Sequence, residues 1–143
     1  MIKKTLQFTL LTLIILISSC SNGQTNVEMF SNGDYEVTTK DVNYFEGVTG
    51  FLATPTEEGN YPGIVMIHEW WGLNENIKNM AKQLASNGYN VLAVDLYNGE
   101  VATTQDRAKE LISSLDKEKV IVNMKTAASY LRNEKNSEKL ASL

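Results

Sequence analysis

The chain has 143 residues, 43% hydrophobic and 21% charged, with a formal net charge of −4. That length holds one globular domain at most, and the composition is that of a folded protein. Thirteen Lys and Arg with no basic block exclude the clustered phosphate-binding charge of a nucleic-acid binder.

Lys3 and Lys4 open the chain, and an apolar stretch from Leu10 to Ile17 follows, broken only by Thr12. This pattern predicts a signal peptide over residues 1–19, too short for a spanning helix of roughly 20 apolar residues. The residues Ile17-Ser18-Ser19-Cys20 resemble a bacterial lipobox. That resemblance implies acylation of Cys20, which becomes the mature N-terminus at the bacterial cell envelope, anchored to a membrane it does not cross. As the single cysteine, Cys20 also leaves no disulfide framework. Residues 20–34 are rich in Asn, Gly and Ser and read as a lipid-anchored flexible tether.

From Tyr35 the pattern changes. Val42 and Tyr44, then Val48 to Ala53, form two β-prone runs around Glu46-Gly47, as in a hairpin. After the polar loop 56–63, the run Ile64–Ile67 suits a strand buried on both faces. Ile77, Met80, Ala81, Leu84 and Ala85 make one helical apolar face, with Asn74 or Asn76 as its start and Gly88 as its end. Residues 89–97 read as a second buried strand, completing a right-handed βαβ unit. Ala108, Leu111, Ile112 and Leu115 mark another helix. Val120, Ile121, Met124, Ala127, Ala128 and Leu131 mark a third, with Asp116 as a cap between them. After the polar turn 133–137, "KLASL" begins a third parallel strand.

An open parallel sheet binds ligands outside the carboxyl ends of its strands. At such an end stand His68, the chain's one histidine, then Glu69, Trp70 and Trp71, its two tryptophans. Tyr97 and Asp95 end the next strand. Glu69 is the candidate catalytic carboxylate, and Trp70, Trp71 and Tyr97 are candidates for the pocket wall. His68 and Asp95 fit hydrogen bonding into adjacent loops better than acid–base work. Ser86, Ser113, Ser114 and Ser129 lie on helices with no sharp turn around them. One histidine and one cysteine are too few for a metal site, and no cofactor is expected.

Residues 62–99, with "HEWWGLN", "LASNGY" and "VLAVDLYNG" in order, closely resemble the dienelactone hydrolase family of α/β-hydrolases. The resemblance implies that residues 35–143 form the N-terminal half of such a domain: an α/β fold, three-layered, with a mostly parallel sheet flanked by helices. It implies hydrolysis of a small-molecule ester or lactone through a Cys or Ser nucleophile with an Asp and a His. Glu69 then matches the glutamate that contacts the resting nucleophile, and Trp70 the residue whose backbone N–H lends an oxyanion-hole donor. No G-x-C-x-G or G-x-S-x-G occurs in the chain. It stops a few residues before the family's nucleophile elbow, so the sequence is expected to be an inactive fragment, for which a truncated gene is the plainest origin. Two other readings stay open: one half of a split hydrolase completed by a C-terminal piece, and a non-catalytic envelope lipoprotein binding an apolar ligand through Trp70 and Trp71.

Overall fold

The computed structural model describes residues 26–28 and 33–143. The expected signal peptide and the expected lipidation site Cys20 lie outside the described residues. A mixed sheet forms the middle layer. Its strands are β1 (Asn26–Glu28), β2 (Val37–Phe45), β3 (Val48–Pro55), β4 (Gly63–Ile67), β5 (Asn90–Val94) and β6 (Leu140–Ser142), in the spatial order β1-β2-β3-β5-β4-β6. Pairing is antiparallel from β1 through β3 and between β3 and β5, and parallel along β5-β4-β6. Residues 26–28 fall in the expected tether, yet they pair with Val37–Thr39. A strand edge offers free N–H and C=O groups to any backbone that reaches it, so a polar side-chain composition does not prevent pairing.

The expected hairpin is present, turning at Glu46 and Gly47, both at positive φ. Between β4 and β5 runs α1 (Glu75–Ser86), which puts two adjacent parallel strands and a crossover helix in sequence. Asn74 is its cap, accepting from the Ile77 N–H at 3.1 Å. Gly88, at φ +87°, lets the chain leave the helix. Then come α2 (Gln105–Ser113), capped by Thr104, and α3 (Lys117–Lys135), capped by Asp116.

The helices cover opposite faces. Ile77, Ala81 and Ala85 of α1 pack on Val37, Phe51, Ile64, Met66 and Val91. Ala127 and Leu131 of α3 pack on Val42, Leu52, Val65, Leu92 and Val94. Alternate residues of β4 and β5 thus enter opposite cores, which is why Ile64–Ile67 and Val91–Val94 are apolar runs.

Three residues leave their expected faces. Met80 is partly exposed, Ile112 is 51% exposed and Ile121 is 48% exposed. On α3 the row that meets the sheet is Asn123, Ala127 and Leu131, spaced by four. Ile121 sits two positions off that row, roughly 200° around the helix. The polar member, Asn123, occupies the inward position.

Candidate functional site

The turn after β4 is built around His68. Its buried ring accepts the Leu96 N–H on Nε2 at 3.1 Å. Because Nε2 accepts, the proton is assigned to Nδ1, which lies 2.7 Å from the Glu69 carbonyl oxygen. Both nitrogens are spent, so the ring has no free position for general-base work. Glu69 O also accepts from the Gly72 N–H at 3.1 Å, closing a tight turn. Gly72 stands at φ +96°, and a Cβ there would meet the Glu100 carbonyl oxygen at 2.6 Å. The Glu69 side chain is exposed.

The two indoles lie 4.9 Å apart with planes tilted by 59°. Both are partly buried against Tyr97, Ala102, Ala108 and Leu111, so they pack on the loop after β5 and on α2. Both of their carbonyls accept from the loop after β5. Trp70 O accepts from the Tyr97 hydroxyl at 3.3 Å, and Trp71 O from the Ala102 N–H at 2.9 Å. Among the described residues, the Trp70 N–H makes no backbone hydrogen bond.

The facing loop is held by Asp95, which is 3% exposed. One carboxylate oxygen accepts from the Tyr97 N–H at 2.8 Å and the other from the Gly99 N–H. Tyr97 packs its ring on His68 at 4.6 Å, and burial pushes its phenol up from the ordinary range. Farther along, Arg107 grips Glu100 with Nε and Nη2, at 2.6 and 2.8 Å, and reaches Glu110 with Nη1 at 2.8 Å. This fork holds the Glu100 carboxyl below its usual range.

A polar chain missed by sequence reasoning ties this loop to β2 and α3. Tyr44 of β2 donates to Asn123 Oδ1 at 2.6 Å, and Asn123 Nδ2 donates to the Asp95 carbonyl at 3.1 Å. Tyr44 and Asn123 are 79 residues apart, so no local pattern joins them. Burial pushes the Tyr44 phenol up to about 12. A group whose pKa is higher folded than unfolded stabilises fully below the unfolded value, and that share is lost as pH rises through the folded one. Stability is therefore expected to fall from about pH 10 towards 12. Tyr44→Phe should flatten that fall in urea titrations across the range; an unchanged slope would refute the assignment.

A cleft of about 530 Å³ opens beside Tyr97, with Asp95 and Asn123 among its lining and Phe45 and Lys119 at its sides. Glu69, Trp70 and Trp71 do not line it. The two features are therefore separate: a mixed cleft over β5, and the Glu69–Trp70 turn over β4, beside β6. The hydroxyls of Ser86, Ser114 and Ser129 donate to carbonyls of their own helices. Among the described residues, no group of three or more His, Cys, Asp or Glu is arranged to hold a metal ion.

The model of the dienelactone hydrolase family matches residues 48–142, from β3 to β6. The chain belongs to the dienelactone hydrolase family. Its relatives include a protein named usf from Aquifex pyrophilus, 35% identical over 91 residues, and a putative carboxymethylenebutenolidase from Aquifex aeolicus, 38% identical over 71. These matches cover 59% and 48% of this chain, and only 38% and 30% of the relatives, so the chain spans about a third of their length. A putative dienelactone hydrolase from Klebsiella pneumoniae shares the fold, with a TM-score of 0.65 at 22% identity. That superposition covers 74% of this chain and 48% of the other.

Proposed function

We propose that this chain supplies the Glu69–Trp70 side of a carboxylic-ester or lactone hydrolase site. The nucleophile, acid and base would come from polypeptide other than these 143 residues. The observation that carries this reading is the family match from β3 to β6, joined to the form of the turn that follows β4. Trp70 gives its carbonyl to the Tyr97 hydroxyl and, among the described residues, its N–H makes no backbone hydrogen bond at the carboxyl end of β4.

In acyl transfer a nucleophile attacks the carbonyl carbon, and negative charge gathers on the carbonyl oxygen. A fixed N–H aimed at that oxygen stabilises the transition state more than the ground state. The Trp70 N–H is one such donor. Exposed Glu69 beside it would face the resting nucleophile and influence its ionisation. Water then clears the acyl-enzyme. The substrate class follows the relatives' names: a small lactone or ester. Acylation at Cys20 would hold the site at a bacterial envelope; labelled palmitate should enter the full chain and not a Cys20→Ala variant.

The 143-residue chain by itself is expected to hydrolyse p-nitrophenyl acetate no faster than its Glu69→Ala variant. Clear Glu69-dependent turnover would overturn the division of the site.

A further inference from the structure

We propose that His68 is a positioning residue that aims the Trp70 N–H, by clasping the Glu69 carbonyl to the end of β5. This deepens the functional reading above and rests on Trp70 being the oxyanion donor. The peptide that carries the Trp70 N–H has Glu69 O as its other end. That oxygen accepts two hydrogens: His68 Nδ1 at 2.7 Å and the Gly72 N–H at 3.1 Å. Because a peptide is planar and trans, fixing its oxygen fixes the opposite direction of its N–H.

The imidazole is itself held. Leu96 N–H donates to Nε2 at 3.1 Å, and the Tyr97 ring lies against it at 4.6 Å. Leu96 directly follows Asp95, which is anchored by Tyr97, Gly99 and Asn123. The orientation of one N–H over β4 is thus referred, through one ring, to the hydrogen-bonded start of the β5 loop. Tyr97 adds a second brace by donating to the carbonyl of Trp70 itself. A preorganised donor needs fixed partners of this kind, since a donor that must reorient at the transition state gives up much of its benefit.

The clasp requires one tautomer and two separate bonds, and side chains of different reach split them. Gln places its amide near the Nε2 position and can serve Leu96. Asn places its amide near Nδ1 and can serve Glu69 O. In the full chain, imidazole nitrogen spectra at neutral pH should show Nδ1 protonated and Nε2 bare. His68→Gln should keep the Leu96 amide protected while Gly72 exchanges about tenfold faster, and His68→Asn should do the reverse. The Trp70 amide order parameter should fall from about 0.85 towards 0.6 in His68→Gln and hold in His68→Asn. Equal behaviour of Gln and Asn would mean that His68 only fills space, and an Nε2-protonated ring would break the clasp outright; either result overturns the proposal. If His68→Asn does not fold, the tautomer and the Gln variant still decide it. These readouts involve no ester, so they stand or fall apart from the hydrolase reading. That reading fails separately, if ester turnover in a completed enzyme ignores the Trp70 N–H.

Discussion

Asp95→Ala is expected to lower the free energy of unfolding by about 3–5 kcal/mol, the largest effect of any single change near the site. The carboxylate is buried and accepts from two backbone N–H groups, those of Tyr97 and Gly99. Hydrogen bonds to a charged acceptor are worth roughly 1.5–3 kcal/mol each, and deletion leaves the donors without a partner. The damage should spread, because Tyr97 braces Trp70 and Ala102 braces Trp71. Both of the chain's tryptophans lie in that turn, so their fluorescence reports on it directly. Urea titration should give the stability loss together with a red-shifted emission in the native baseline. Asp95→Asn keeps one acceptor and should lose about half as much. A loss below about 1 kcal/mol for Asp95→Ala would show that the loop is held by something else.

Gly72→Ala should cost about 2–4 kcal/mol, from two sources that a control separates. The first is conformational: φ +96° disfavours any side chain. The second is steric: the new Cβ would meet the Glu100 carbonyl at 2.6 Å, and that carbonyl belongs to a segment held by the Arg107 fork. Gly99 has a similar φ of +89° but no atom near the place of its Cβ. Gly99→Ala thus measures the conformational part alone, about 1–2 kcal/mol. Gly72→Ala should exceed it by at least about 1 kcal/mol and shift the tryptophan emission. Equal losses with unchanged emission would mean that the turn and the loop do not touch as described.

Much of the fold is legible in the sequence, for identifiable reasons. The β4-α1-β5 unit announces itself because strands covered on both faces read as near-continuous apolar runs, here Ile64–Ile67 and Val91–Val94. Asn74 and Asp116 announce helix starts because a short polar side chain there satisfies an otherwise free N–H. The hairpin is marked by Glu46-Gly47, where positive φ is needed. What stays hidden is non-local. Nothing in β3 says that its antiparallel neighbour is β5, since pairing partners are chosen by the whole sheet. The inward turn of Asn123 is invisible because its partners, Tyr44 and Asp95, lie 79 and 28 residues away. Ile121 misleads for a different reason: it is apolar and only two positions from Asn123, yet it lies far around the helix from the inward row.

The site divides in the same way. The cluster His68–Trp71 stands out because rare residue types crowd the end of one apolar strand. The tryptophans' partners in the Tyr97–Ala102 loop are not visible locally, nor is the use of both His68 nitrogens. The wider cleft over β5 is also unannounced, because its lining is gathered from three separate stretches of chain.

The most direct measurement completes the site. Residues 33–143 would be joined to the part of the Aquifex aeolicus relative that follows its counterpart of β6, and the hybrid assayed on a small ester or lactone. The account predicts turnover. It predicts a loss of about 10²–10³ in kcat for Trp70→Pro, which removes the N–H, against a change within about tenfold for Trp70→Ala, which keeps it. A folded hybrid with no turnover, or one in which Trp70→Pro behaves like Trp70→Ala, would contradict the assignment of this turn to the hydrolytic site.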